Sequence, residues 1–103
     1  MISEILPAGA VLYKTPTDSK TEEFVFECPG CKKTHFFRSK GGRNQTVWKW
    51  NRDLVKPTVE ESIIVNPDTE SQCHFFIHGG RIHFQKDSFH ELAGTVVDMV
   101  EIR

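Results

Sequence analysis

All three cysteines of this chain belong to one pattern, Cys28-Pro29-Gly30-Cys31 followed after forty-one residues by Cys73-His74, and three thiols cannot pair off as disulfides. A CxxC step across a tight turn brings two sulfurs to one ion, and Pro29 and Gly30 supply the fixed and the permissive φ that such a turn takes. Structural zinc takes four ligands, usually thiolate or imidazole, so Cys28, Cys31 and Cys73 leave one place for a histidine. His90 is the first choice for it. His74 is the alternative, at a disadvantage because neighbouring residues of a strand point to opposite faces. Asp87 is expected to form a turn or to orient a ligating histidine. Three thiolates and one imidazole close the coordination sphere, so the metal reads as a staple, and whichever histidine is left over becomes the best candidate for a functional residue beside it.

With 103 residues the chain suffices for one domain, residues 1–103, and is small enough to gain from a metal. Its 38% hydrophobic content, with eight Phe and two Trp, provides a core and excludes disorder as the default. No apolar run approaches the roughly 20 residues of a membrane span, and the first six residues lack the features of a signal peptide. A cytoplasmic protein is expected, in keeping with an odd number of cysteines in a reducing compartment.

The net charge of −1 hides a bipolar distribution. Lys32, Lys33, Arg38, Lys40, Arg43, Lys49, Arg52 and Lys56 are opposed between positions 32 and 56 only by Asp53, whereas the chain from Glu60 onward is acidic. The first five of these basic residues form a candidate anion-binding set.

Short segments rich in aromatic and β-branched residues recur at Val11 to Lys14, Glu23 to Cys28, His35 to Arg38, Thr46 to Trp50, Ser62 to Asn66, Cys73 to His78, Arg81 to Gln85 and Thr95 to Ile102. Gly79-Gly80 between two of them predicts a two-residue hairpin with positive φ. Alternation puts Cys73, Phe75 and Ile77 on one face with Ile82 and Phe84 across the hairpin, and His74, Phe76, His78 and His83 on the other. Ser88 to Ala93, ended by Gly94, is the best candidate for a helical turn. The expected fold is mainly β, a small sandwich or rolled antiparallel sheet with a zinc knuckle and at most one short helical turn. Residues 1–10 and 15–21 are the expected mobile parts.

From Cys28 onward the chain resembles a family of small uncharacterised phage and bacterial proteins, whose phage members often carry the label ammonia monooxygenase. The resemblance rests on Cys28-Pro29-Gly30-Cys31, Trp48-Lys49-Trp50-Asn51, Pro57-Thr58, Ser62, Cys73-His74-Phe75-Phe76, Gly80-Arg81-Ile82-His83-Phe84, Asp87, His90 and Leu92-Ala93-Gly94. Glu61 stands where the family commonly has proline, and Ser88 where many phage members have a further cysteine. The resemblance implies a zinc-binding domain of phage or prokaryotic context and no established reaction. The oxygenase label finds no support, because a copper or iron oxygenase wants open positions and harder ligands than three cysteines.

The leading functional expectation is a non-catalytic, zinc-stabilised accessory protein, of phage origin, whose partner is a host protein. Two alternatives accompany it. Residues 32–56 interleave His35, Phe36, Phe37, Trp48 and Trp50 with basic side chains, as single-stranded nucleic-acid binders do. A small zinc hydrolase would draw on His74, Asp87, His90 and Glu91 as acid-base groups, although the His-x-Glu of zinc deaminases is missing.

Overall fold

Alternating burial decides the architecture. In β2 (Glu22–Cys28) Phe24, Phe26 and Cys28 turn one way, and in β3 (Lys33–Lys40) His35 and Phe37 join them, while Phe36 is exposed. With β1 (Tyr13–Lys14) these strands form a three-stranded antiparallel sheet in the order β1-β2-β3. Cys73, Phe75 and Ile77 of β5 (Cys73–His78) are buried, as are Ile82 and Phe84 of β6 (Arg81–Phe84). Flanked by β4 (Ile63–Val65) and β7 (Val96–Asp98), they form a second antiparallel sheet in the order β4-β5-β6-β7. The computed structural model describes residues 6–16, 20–41 and 46–102.

The two sheets pack face to face through aromatic side chains. Phe26 meets Phe75 edge-on at 5.7 Å between ring centroids, and the His35 ring stacks on Phe75 at 5.8 Å. Such contacts add about 0.5–1.5 kcal/mol each to the burial of the rings themselves. Trp50 closes one end of the core against Phe24 and Phe37. The mainly β single-domain expectation holds, and the Gly79-Gly80 hairpin has the predicted positive φ at both glycines, +59° and +80°.

Two expected elements are absent from the described residues. Thr46 to Trp50 is not a regular strand: it contributes one bridge, Trp50 to Val59, because the loop beyond it is shaped by side chains instead of a ladder. Asn51 Oδ1 accepts from the Asp53 and Thr58 amides and Asp53 Oδ1 from those of Val55 and Lys56, a local alternative to sheet pairing. Ser88 to Ala93 forms successive turns instead of a helix, and Gly94 ends them at φ +77°. Among the described residues no helix is long and apolar enough to cross a membrane.

Candidate active site and metal centre

β5 carries two kinds of chemistry on its two faces. Cys73 points inward at the end of the core, and His74, the next residue, points outward.

On the inner side the CPGC turn joins β2 to β3, with Lys32 rather than Gly30 taking the positive φ, +59°. Gly30 is required for a different reason: a Cβ there would lie 2.3–2.6 Å from the ring of His90, so only glycine lets that imidazole close over the turn. Cys28 Sγ and Cys73 Sγ are 3.9 Å apart, and Cys73 Sγ and His90 Nε2 are 3.5 Å apart. A tetrahedral ion with Zn–S near 2.3 Å and Zn–N near 2.05 Å requires separations of about 3.8 and 3.6 Å. The donor atoms of Cys28, Cys31, Cys73 and His90 all lie within 4.8 Å of one another, so this group can hold a metal ion and is consistent with zinc. The Cys31 amide donates to Cys28 Sγ at 3.4 Å.

The electrostatics of the thiols point the same way. Hydrogen bonding from the Cys73 thiol, aided by His35 and the Cys31 amide, holds Cys28 down to about 4. The Cys28 sulfur beside it pushes Cys73 far up, and burial pushes Cys31 up. One thiolate forms readily and obstructs the others, a conflict that a dication relieves.

On the outer side His74 lies between two partners. Its Nδ1 is 3.1 Å from both carboxylate oxygens of Asp87, and its Nε2 is 3.0 Å from Ser62 Oγ. An ionised carboxylate only accepts, so Nδ1 carries the proton and donates to Asp87. Nε2 then presents its lone pair, and the Ser62 hydroxyl donates to it.

Each member is positioned by local structure. Ile64 pairs with His74 across β4 and β5, so Ser62, two residues earlier on the same outward face, is diagonal to the imidazole. The Val59 amide bonds to Ile77 O while Ile63 pairs with Phe75, so the chain from Val59 to Ile63 uses four steps where β5 uses two. That bulge, with Glu61 at φ +65°, thrusts Ser62 outward. Behind His74 the buried Ser88 hydroxyl accepts from the His74 amide and donates to the His74 carbonyl, both at 2.9 Å. A turn from Gln85 to Ser88 brings Asp87 over the ring, and Gln72 Nε2 holds the Asp87 carbonyl at 2.9 Å.

The structure brings together Cys28, Cys31, Cys73 and His90. It leaves His74 out of that group and gives Asp87 to His74, so Asp87 orients the histidine that stands apart from the thiols. Ser88 is likewise spent on His74 and not on the thiol group. Of the basic set, Arg38 is paired with Glu23 at 3.1 Å and lies over Phe36, Lys32 and Lys33 are exposed at the CPGC turn, and Lys40 ends β3. Arg43 lies outside the described residues. Sequence reasoning assigned no role to Ser62: a lone serine carries no spacing signal, and only the bulge and the register bring it to His74.

A serine, a histidine and an aspartate in this order of hydrogen bonds make up the triad of serine hydrolases, here on an all-β scaffold. The chain belongs to the family described as bacterial ubiquitination-like system serine protease (BubE), whose model matches residues 2–85. The match contains Ser62 and His74 and ends two residues before Asp87. It agrees with the bacterial part of the expected family and carries neither the phage nor the zinc-knuckle label. No curated protein and no solved structure gives a significant match to the chain.

Proposed function

We propose that this protein is a serine peptidase that cleaves protein substrates within a bacterial ubiquitination-like system. The observation that carries this reading is the imidazole of His74 bridging the Asp87 carboxylate and the Ser62 hydroxyl at 3.0–3.1 Å. In this scheme His74 Nε2 takes the Ser62 proton as Oγ attacks the substrate carbonyl. Asp87 holds the ring in its tautomer and stabilises the imidazolium. The imidazolium gives its proton to the leaving amine as the C–N bond breaks. Water, deprotonated by the same nitrogen, then hydrolyses the ester on Ser62. Family membership supports the reaction class and supplies the protein substrate.

This reading displaces the non-catalytic accessory protein expected from the sequence, and the protein partner becomes a substrate. Zinc is proposed for Cys28, Cys31, Cys73 and His90. With four protein ligands it supplies structure alone, because no position is left for water or substrate.

The test is a serine-directed alkyl fluorophosphonate. Covalent labelling at Ser62, located by peptide mass, abolished in Ser62→Ala and strongly slowed in His74→Ala, is the expected result. A folded protein that is not labelled, or is labelled equally in His74→Ala, would defeat the proposal.

A further inference from the structure

Ser62 sits where two sheets part. On one side of it the chain is zipped: the Asn51 amide bonds to Thr58 O, the Glu60 amide to Lys49 O, and Trp50 bridges to Val59. Among the described residues Trp48 makes the last cross-link, donating its amide to Arg38 O at 2.8 Å and its indole N–H to Ser62 O at 3.2 Å. Beyond Trp48 the strands separate. Among the described residues β3 is an edge of the first sheet, β4 is an edge of the second, and neither pairs with the other.

The gap between them is a groove of about 550 Å³, lined on one side by Thr34, Phe36 and Arg38 and on the other by Ile64 and Asn66. Since Trp48 ties Arg38 to Ser62, and Thr34 and Asn66 line the same groove four residues further on in opposite chain directions, the two edges face each other antiparallel. Four residues at roughly 3.3 Å each make the open stretch roughly 13 Å long.

The direction of the backbone groups follows from the bonds already made. Arg38 O points away from β2 to Trp48, and groups two residues apart on a strand point the same way, so Phe36 and Thr34 present theirs to the groove. His74 spends its amide and carbonyl on Ser88 and Gln85, on the side away from β4, so the β4–β5 ladder runs through Phe75 and Cys73. Ile64, opposite His74, therefore presents its N–H and C=O to the groove as well. Two residues that line it, His35 and Arg38, carry buried side-chain nitrogens without a hydrogen-bond partner among the described residues, Nε2 and Nε respectively. Orphaned buried polar groups are costly, and the Arg38 Nε–H would be satisfied by an acceptor within the groove.

Resting on the peptidase reading, we propose that the substrate enters as an extended polypeptide of about four residues, inserted as a strand between β3 and β4 with its scissile carbonyl delivered to Ser62. It runs antiparallel to β4, the strand that follows the nucleophile, and joins the two sheets through hydrogen bonds on both of its edges. Recognition is then mainly of backbone, and alternate amides of the substrate bond to opposite sheets.

The probes are diphenyl phosphonates that carry either an alkyl group or a degenerate tetrapeptide, reacted with the full chain. The tetrapeptide pool should label Ser62 at least about tenfold faster than the alkyl probe, two or more backbone hydrogen bonds sufficing for that factor. N-methylation of either of two adjacent interior amides should each remove most of the gain. Ile64→Pro, which deletes an edge N–H and no ladder bond, should lower the ratio of tetrapeptide to alkyl labelling rates toward one.

Equal labelling by both probes would overturn the inserted strand while leaving the nucleophile intact. Sensitivity to N-methylation at one parity alone would overturn insertion between two edges, because the substrate would then pair with a single strand. Absence of labelling by either probe would bring down the peptidase reading, and the groove assignment with it.

Discussion

Cys73 and His74 are consecutive residues with opposite environments. Cys73 is fully buried beside other thiols, and His74 is half-buried among hydrogen-bonding partners that face solvent. A strand one residue thick thus separates a site suited to hold the fold from a site suited to react. The link between them is covalent and short: Cys73 precedes His74, and His90 follows Asp87 by three residues. A metal on the thiol side would therefore anchor the two segments that carry His74 and Asp87.

The sharpest way to break this comparison is to damage one face at a time. Ser62→Ala should eliminate phosphonate labelling while retaining the metal and keeping stability within about 0.5 kcal/mol, as for other exposed positions. His74→Ala should slow labelling about a thousandfold. Cys73→Ser, or verified removal of the metal by a chelator, should cost about 3 kcal/mol or more in denaturant unfolding and take the labelling rate down with it. A Cys73→Ser protein with full labelling activity and unchanged stability would show that the two faces are independent.

Gly30→Ala probes the inner face more gently. Its methyl group would enter the space of the His90 ring, so the ring must withdraw from the sulfurs. Overpacking of this kind costs about 1–3 kcal/mol, and displacement of a ligand weakens metal binding by about 10–100-fold. Metal affinity measured by competition with a chromophoric chelator checks this. An unchanged affinity would remove His90 from the ligand set.

The inner face was readable in the sequence and the outer one was not, for a physical reason. Cys28, Cys31 and Cys73 are chemically singular and scarce, so their convergence follows from residue type alone. The alternation of Cys73, Phe75 and Ile77 with His74 and Phe76 was legible because the strand period is two. Ser62 is one of several serines, and it meets His74 through the β4–β5 register together with a bulge between Val59 and Ile63 that composition does not encode. Asp87 reads in the sequence as a turn former or as the partner of a ligating histidine; that its histidine is His74, outside the thiol group, depends on the Gln85 to Ser88 turn. Within that bulge Glu61 takes φ +65°, a region closed to proline.

On the outer face, Ser88→Ala isolates positioning from chemistry. The hydroxyl it removes is bonded to both backbone groups of His74 and touches neither Ser62 nor the thiols. With the Gln85 amide still on the His74 carbonyl, the loss falls mainly on the His74 N–H, at about 1–2 kcal/mol. Labelling should slow about tenfold with metal content unchanged, the energy being of the size that factor represents. Equal rates in Ser88→Ala and the parent protein would place the orientation of His74 with Asp87 alone.

The smallest effect expected lies away from both faces and serves as their reference. Glu22 accepts two hydrogen bonds from Arg52, at 2.9 and 2.8 Å, and a further one from Ser39, which together hold its carboxyl down to about 2 against an ordinary 4.5. The folded value lies below the unfolded one, so the contribution is complete above about pH 4.5 and is lost as pH falls toward 2. Arg52 is 59% exposed, so solvent screening reduces the pair to about 1 kcal/mol. Arg52→Gln should therefore lower stability by about that amount at pH 7 and by progressively less between pH 4.5 and 2. Metal affinity and labelling rate at pH 7 should not change, because the pair touches neither His74 nor the thiols. A loss of labelling in Arg52→Gln would mean that the loop at 51–58 controls the fork at Ser62, and that the reactive face draws on the zipped end of the sheets as well as on the metal.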